Sequence, residues 1–308
     1  MGIIQEDHVW KDNAGNYAYR FSWLQLMRPM TFSATISPVL AGTALAAFEG
    51  PIRFDILIVL LIAALFIQAS ANMLNDYYDF SNGQDQEKWM AADNITGSKP
   101  LHHKIPFVAW SIIGIAVILG AWISIQTTWW IAFIGTIGIL VGFAYSAGQR
   151  SLASLGLGEL VAALFLGFVT TGLGYIVQGH AINTPVLMIA FLFALLISTM
   201  ILTNNIRDLK KDQGYRNTLA MRLGRRNGIR LLTALLTTAY LWMIILILFQ
   251  IVSWMTIITM LAIPIAYRLR WSFRESTTRE DEISAMKWAG RHHWAFGLLF
   301  VLGMALGL

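Results

Sequence analysis

The chain has no cysteine and few charged residues, and both absences limit what it can be. Without cysteine there are no disulfides and no thiolate chemistry, although this does not identify a compartment. Only 13% of its 308 residues are charged, whereas about one-quarter is usual in a soluble protein. By contrast, 56% are hydrophobic and the mean hydropathy is +0.60. These proportions indicate an integral membrane protein.

The first twenty residues, MGIIQEDHVWKDNAGNYAYR, mix charged and polar groups. They lack the basic start and apolar core of a secretory signal. We therefore expect residues 1–28 to form a cytoplasmic N-terminal segment, followed by a single membrane domain at 29–308.

Apolar segments long enough to cross a bilayer recur along the chain. A spanning helix needs about 20 apolar residues, or somewhat fewer when its ends lie at the interfaces. Nine segments meet this requirement: 30–48, 54–75, 105–126, 128–145, 157–177, 184–204, 230–250, 252–268 and 290–307. We therefore predict an all-α integral membrane protein with nine transmembrane helices.

The basic residues predict how these helices are oriented. With nine spans, 21 of the 22 Lys and Arg residues fall on one side of the membrane, and only Arg53 falls on the other. Loops rich in Lys and Arg stay in the cytoplasm. We therefore expect a cytoplasmic N-terminus and an external C-terminus. The net charge of +5 then reflects membrane topology rather than binding to nucleic acid.

Two acidic motifs end two of the predicted helices on the cytoplasmic side. The first, NMLNDYYDFSNGQD, spans 72–85, and the second begins at 203 in TNNIRDLKKDQGYRNTLAMRLGRR. In the first, Asn72, Asp76 and Asp79 have helical spacing, so they share one face. Asp85 follows an Asn-Gly turn, which can return it to the same point. In the second, one face carries Asn204, Asp208 and Asp212.

Carboxylates facing one membrane cavity repel each other unless cations offset their charge. Ligand sets made of oxygen alone favour Mg²⁺ over zinc. Because Mg²⁺ combines a few carboxylates with phosphate oxygens, the motifs predict a site for magnesium and a diphosphate. The alternative is that both motifs are solvated helix ends. It explains poorly why both repeat Asn-x-x-x-Asp on the same side, and aspartate is unfavourable at a helix C-terminus.

The sequence resembles the UbiA-type intramembrane prenyltransferases. Its two motifs are similar to that family's N-D-x-x-D and D-x-x-x-D signatures, and the spacing of Asp85 is similar to the 1,4-dihydroxy-2-naphthoate polyprenyltransferases of menaquinone synthesis. Four segments carry the resemblance: LMRPMTFSATISPVLAGTALA at 26–46, NMLNDYYDFSNGQD at 72–85, YSAGQRSLASLGLGEL at 145–160 and NNIRDLKKDQGYRNTLAMRLG at 204–224. The loop at 87–104 matches no family pattern.

This resemblance implies nine helices around a central cavity. It also implies transfer of a polyprenyl group from its diphosphate to an aromatic acid in the cell membrane, at a site facing the cytoplasm. Mg²⁺ is the implied cofactor and membrane lipid the surroundings. The implied metal ligands are Asn72, Asp76, Asp79, Asp85, Asn204, Asp208 and Asp212.

Further roles follow from the same resemblance. Tyr145 would stabilise an allylic carbocation. The expected diphosphate contacts are Arg150, Lys211, Arg222 and Lys99. The acceptor is assigned to Arg28, Tyr78 and Glu159, each with an alternative: Arg28 as an orientation signal, Tyr78 as an interfacial aromatic, and Glu159 as a hydrogen-bond partner of a neighbouring helix.

Two other functions remain open at this stage. One is a related prenyltransferase that uses another acceptor, such as 4-hydroxybenzoate or homogentisate. The other is a cation-coupled transporter. Transporters usually keep their ion sites near the middle of the membrane, whereas the acids here gather at one side.

Overall fold

The protein is mostly helical in a computed structural model that describes residues 16–94, 97–148 and 151–308. Ten helices make up most of it: α1 (Trp23–Leu26), α2 (Ser33–Ala46), α3 (Phe54–Ser81), α4 (Ile105–Gln126), α5 (Trp130–Ser146), α6 (Gly158–Ile176), α7 (Thr184–Arg207), α8 (Leu219–Leu248), α9 (Ile263–Trp271) and α10 (Arg279–Ala305). Two short strands, β1 (Tyr17–Tyr19) and β2 (Trp89–Ala91), pair antiparallel.

Five helices are long and apolar enough to cross a membrane. Among the described residues these are α3, α4 with its preceding turn, α6, α7 and α8, while α2 and α5 are shorter apolar helices. The predicted span at 252–268 is not one α-helix, because a 3₁₀ helix at Trp254–Ala262 precedes α9. Pro264 lies in the first turn of α9, where its missing N–H costs nothing. The multi-pass helical class is confirmed, but the number of nine is not.

α7 forms the centre of the bundle. Of its most apolar 18 residues 67% are buried, against 22% for α4, which therefore lies at the periphery. Its neighbour α6 contains a π-helical stretch, Ala163–Val169. Here Gly167 lets the two helices touch, since a Cβ on it would lie 2.6 Å from the Cα of Ala194. Small residues at helix crossings are typical of membrane bundles.

The two-stranded sheet is the main departure from the all-α prediction. β1 lies in the segment expected to precede the membrane domain, and β2 lies in the loop after α3. Trp89 of β2 stacks on Phe80 at 4.5 Å between ring centroids, and Arg20 Nε donates to the Trp89 carbonyl at 2.8 Å. The sheet thereby fixes Lys88 against the end of α3.

Candidate active site

The first acidic motif occupies the last turns of α3. Asn72, Asp76 and Asp79 are one helical turn apart in sequence, and Asp76 is fully buried. Arg28 contacts Asp76 twice, from Nη2 to Oδ1 at 2.8 Å and from Nε to Oδ2 at 3.3 Å. Lys88 Nζ lies 2.7 Å from the same Oδ1. These partners offset the large cost of removing a carboxylate from water.

The backbone of Arg28 is what directs its side chain to the motif. Its φ of +55° places it in the left-handed region, between α1 and Pro29. Its Nη2 also donates to Asn75 Oδ1 at 2.9 Å. Burial alone would lower the pKa of Arg28, but Asp76 raises it above the usual range. Arg28 therefore stays cationic and ties the start of α2 to the end of α3.

Asp85 folds back towards the end of α3. Its φ is +56°, and Lys88 and Lys211 both form ion pairs with its carboxylate. Burial would raise the pKa of Asp85, but the two ammonium groups hold it well below its usual range. One carboxylate oxygen from each of Asp76, Asp79 and Asp85 lies within 4.8 Å of the others. The turn thus gathers three acids into one cluster.

The second motif lies at the end of α7. Asp208 directly follows the helix and accepts from Arg207 Nε at 2.9 Å. Arg279, the first residue of α10, places its Nη2 3.7 Å from Asp208 Oδ1. Asn204 Oδ1 accepts from Arg207 Nη2 at 2.7 Å. Basic residues therefore accompany this motif as well.

Asp212 is the most perturbed acid of the second motif. It is buried, and its Oδ2 has no hydrogen-bond partner among the described residues. Burial raises the pKa of Asp212 to about 6, with Arg216 opposing this shift and Asp208 adding to it. The Oδ2 atom of Asp212 is therefore available to a cation.

Two basic side chains join the motifs. Arg216 Nη2 donates to Asp79 Oδ1 at 2.6 Å, and Asp79 and Asp212 together raise the pKa of Arg216 against the effect of burial. Lys211 contacts both Asp85 and Glu87, the latter at 2.6 Å. Segments more than 100 residues apart therefore meet at one end of the bundle.

The residues present fit a magnesium site. The acids that come together offer oxygen alone, which suits Mg²⁺. The Asn72 side-chain amide donates to the Met27 carbonyl at 2.9 Å, so its own oxygen is directed elsewhere. The unpaired oxygen of Asp212 adds a donor from the second motif. By contrast, Asn204 already accepts from Arg207.

A cavity of about 280 Å³ lies between the helices beside this cluster, and Arg28 and Arg216 separate it from Asp76 and Asp79. Its polar end is lined by Arg28, Asn72, Asn75, Asn204 and Arg216. The remaining wall is largely apolar and comes from α3, α5, α6 and α7: Ala64, Ile67, Ile134, Val141, Leu166, Val169, Leu173, Ile197 and Met200. Tyr145 lines the cavity near the end of α5. The cavity thus offers a charged end and an apolar extension.

Two residues expected to contact the acceptor do not line this cavity. Tyr78 packs against Tyr77 and Phe143, at 5.2 and 6.0 Å between ring centroids. Glu159 accepts through Oε1 from Asn205 Nδ2 of α7 at 2.8 Å. For Glu159 the structure therefore favours the alternative, a hydrogen bond between helices.

The expected diphosphate contacts are also only partly brought together. Lys211 belongs to the cluster, but Arg222 braces two loops, donating from Nη2 to the Leu155 carbonyl at 2.7 Å. Lys99 donates to the Arg20 carbonyl, so it anchors the N-terminal segment instead. Neither lines the cavity. Arg150 lies outside the described residues.

Sequence reasoning missed Arg216 and Lys88 as members of the site. A signal existed for each, since Arg216 follows Asp212 by four residues and Lys88 follows Asp85 by three. Both lie in loops, where spacing alone does not predict which side chains converge.

Comparison with known proteins supports the resemblance inferred from the motifs. The family model of the UbiA prenyltransferase family matches residues 35–306. A 1,4-dihydroxy-2-naphthoate octaprenyltransferase of Bacillus subtilis is 32% identical over 286 residues, covering 92% of this chain and 91% of that protein. One of Escherichia coli with the same name is 28% identical, covering 82% and 85%.

Solved structures show the same fold. A UbiA homolog from Archaeoglobus fulgidus bound to DMAPP and Mg²⁺ has a TM-score of 0.62 at 14% identity, covering 93% of this chain and all of that one (100%). A UbiA homolog from Aeropyrum pernix has a TM-score of 0.65 at 13% identity, covering 91% and 98%. The chain therefore belongs to the UbiA prenyltransferase family.

Proposed function

We propose that the protein transfers a polyprenyl group from polyprenyl diphosphate to 1,4-dihydroxy-2-naphthoate, with Mg²⁺ and with loss of CO₂, in menaquinone synthesis. The observation that carries this proposal is a largely apolar cavity whose polar end is lined by Arg28 and Arg216, which contact Asp76 and Asp79 of the acidic cluster. A diphosphate with a hydrocarbon tail has the matching shape and polarity. The names of the Bacillus subtilis and Escherichia coli relatives support this reaction.

The acids of both motifs are the proposed metal ligands. Asp76, Asp79 and Asp85 would hold Mg²⁺ on one side, and Asp208 and Asp212 on the other. The oxygen of Asn72 would complete the set, together with that of Asn204 once it is released from Arg207. Bound magnesium supplies positive charge that stabilises the departing diphosphate. The solved Archaeoglobus fulgidus homologs, bound to Mg²⁺ with DMAPP or GPP, support this assignment.

The basic residues of the cluster would bind the diphosphate itself. Lys88, Lys211 and Arg216 already contact the acids, so an anion held between the two motifs comes within their reach. Charge-assisted contacts of this kind are short and strong. Arg150, which lies outside the described residues, stays a candidate for the same role.

Transfer breaks the bond between the allylic carbon and the diphosphate oxygen, and it forms a bond from that carbon to the aromatic ring. Tyr145 lines the cavity, and its electron-rich face would stabilise positive charge on the allylic carbon. Arg28 lines the same end and would orient the acceptor carboxylate. Overall the prenyl group replaces the carboxylate: the C–C bond to the carboxylate breaks, CO₂ leaves, and the electron pair of that bond stays with the ring.

The reaction requires a membrane location for its donor. Each methylene moved out of lipid costs about 0.8 kcal/mol, so a polyprenyl chain has to enter the cavity from the bilayer. We propose nine transmembrane helices in the cell membrane, an external C-terminus and a polar end that faces the cytoplasm. The positive charge of the loops supports this orientation.

A transporter is the weaker alternative. The acids of both motifs lie at helix ends and are compensated by Arg and Lys, whereas transport sites usually lie mid-membrane at broken helices. The π-helical stretch in α6 borders the apolar cavity rather than the acids.

An assay of the purified protein in detergent tests the proposal. The protein is incubated with Mg²⁺, radiolabelled octaprenyl diphosphate and a panel of aromatic acids. We expect a prenylated, decarboxylated product from 1,4-dihydroxy-2-naphthoate. Preferential use of 4-hydroxybenzoate or homogentisate would show that this acid, and not 1,4-dihydroxy-2-naphthoate, is the acceptor. Absence of product with every acid would reject the function.

Two aspartate variants extend the same assay. Asp76→Asn and Asp208→Asn should lower turnover at least about 100-fold, the usual scale for losing a group that stabilises transition-state charge. Asp55→Asn is the matched control, because Asp55 is exposed at the opposite end of α3. Circular dichroism has to show the helices intact in all three. Full activity of both site variants would remove the metal assignment.

A further inference from the structure

The cavity wall formed by α5 carries glycine where a side chain would fit. Tyr145, Gly142, Gly138 and Gly135 are spaced by three, four and three residues, which places them on one helical face, and all four line the cavity. Moving along this face from Tyr145 leads away from the acidic cluster, towards the start of α5 at Trp130.

Packing does not require two of these glycines. A Cβ added to Gly135 or Gly138 would meet no atom within 4 Å. By contrast, a Cβ on Gly42 or Gly174 would overlap a backbone carbonyl of the facing helix. A glycine inside a helix costs about 1 kcal/mol relative to alanine. Glycine at positions 135 and 138 therefore lowers the stability of the helix, and no contact with another helix explains why glycine is present there.

The surroundings of this space indicate what fills it. Apolar residues of α5 and of neighbouring helices line the same cavity, among them Ile67, Ile134 and Leu173. At the other end of the α5 wall, the buried Ser146 hydroxyl lines the cavity and has no hydrogen-bond partner among the described residues. A ligand with a polar head and a hydrocarbon tail satisfies both ends.

We propose that Gly138 and Gly135 determine the length of the prenyl chain that the cavity accepts, a proposal that rests on the proposed function. The chain lies along the bare face of α5. With a rise of 1.5 Å per residue, Gly138 lies about 10 Å and Gly135 about 15 Å along the helix from Tyr145. A side chain at Gly138 obstructs the tail closer to the diphosphate than one at Gly135 does.

Leucine substitutions test this directly. Gly138→Leu and Gly135→Leu are assayed with 1,4-dihydroxy-2-naphthoate and a series of donors from geranyl to octaprenyl diphosphate. Gly114→Leu is the matched control, since Gly114 is an exposed glycine of α4 outside the cavity, with no atom within 4 Å of an added Cβ. Leucine favours helix over glycine, so the helices should form. Gly138→Ala provides a smaller obstruction.

We expect Gly138→Leu to lower kcat/KM for octaprenyl diphosphate at least about tenfold, the effect of overpacking by more than 1.4 kcal/mol. Its kcat/KM for geranyl diphosphate should fall much less than that for octaprenyl diphosphate, and circular dichroism has to show the helices intact. Gly135→Leu should accept a slightly longer donor than Gly138→Leu before activity falls, Gly138→Ala should be intermediate, and Gly114→Leu should be neutral. Equal loss for all donors, or no loss for any, would overturn the proposal.

Donor binding without an acceptor separates this inference from the proposed function. The shift of the thermal unfolding midpoint is measured with Mg²⁺ and each donor. If the donors stabilise the wild type, and Gly138→Leu removes the shift only for long chains, the inference holds even when no transfer occurs. If neither geranyl nor octaprenyl diphosphate shifts the wild type, both proposals fail.

Discussion

At the scale of single residues, the acids of the site are held by bases that come from elsewhere in the chain. Asp76 is bound by Arg28 and Lys88, and Asp79 by Arg216. An unpaired buried charge is costly, so these contacts let a carboxylate cluster exist inside a membrane protein. The same bases are the proposed contacts of an anionic substrate.

Arg216 and Arg222 should behave differently when each is changed to glutamine. Arg216 contacts Asp79 and lines the cavity, so we expect Arg216→Gln to raise the KM for the donor about tenfold or more. Arg222 only braces loops, so Arg222→Gln should lower the unfolding midpoint while the donor KM changes less than about twofold. Steady-state kinetics and thermal unfolding measure both. If Arg222→Gln raised the donor KM and Arg216→Gln did not, Arg222 and not Arg216 would contact the donor.

Asp212 predicts a pH dependence for magnesium binding. Its pKa of about 6 means that the carboxyl is protonated below this pH and charged above it. Because a metal binds the charged form, the apparent affinity for Mg²⁺ should be constant above pH 7 and fall by up to about tenfold per unit below pH 6. Thermal stabilisation by Mg²⁺ between pH 5 and 8 measures this. Asp212→Asn should remove the inflection, and an unchanged inflection would assign it to another group.

Helical spacing predicted which side chains of the first motif share a face, but it does not apply to Asp208 and Asp212, because α7 ends at Arg207. Asn72, Asp76 and Asp79 needed no tertiary information. The bases could not be predicted in the same way, since Lys88 is placed by strand pairing and Arg28 by a left-handed backbone position. For Arg222 the prediction was too generous: it lies near the second motif in sequence, but its side chain contacts the Leu155 carbonyl instead of the site.

At the scale of helices and strands, the bundle depends on close contacts between backbones. A Cβ on Gly174 of α6 would overlap the Val39 carbonyl of α2. We expect Gly174→Ala to destabilise the protein by about 1–3 kcal/mol, the usual cost of overpacking. Gly114→Ala, with open space around it, should be neutral or slightly stabilising. Thermal unfolding in detergent compares the two, and equal midpoints would contradict this packing.

Apolar length predicted where most helices lie but not how some begin. α10 starts at Arg279, eleven residues before the predicted span at 290–307, because Thr278 and Asp281 form a capping box. That signal was present in the sequence. The 3₁₀ helix before α9 and the pairing of β1 with β2 have no comparable signal, since both depend on contacts made by distant residues.

At the scale of the whole molecule, the charged site and its cavity predict a fixed orientation in the membrane. With nine spans, 21 of the 22 Lys and Arg residues would fall on the same side of the membrane as the site. Because the chain has no cysteine, a thiol reagent can label only a cysteine that is introduced by substitution. Ala181→Cys, in the loop between α6 and α7, should react with an impermeant thiol reagent in intact cells, and Asn227→Cys, exposed in α8 near the site end, only after permeabilisation. Reversed labelling would invert the proposed topology.

We propose that two distant acidic motifs together hold metal and diphosphate at one end of the bundle, beside an apolar cavity. An experimental structure with Mn²⁺ and a non-reactive thio analogue of geranyl diphosphate tests it most directly, because manganese is located by its anomalous scattering. We predict manganese between the carboxylates of Asp76 and Asp79 on α3 and those of Asp208 and Asp212 after α7, with the hydrocarbon along α5. Manganese bound by only one motif, or a hydrocarbon chain outside the cavity, would contradict this account.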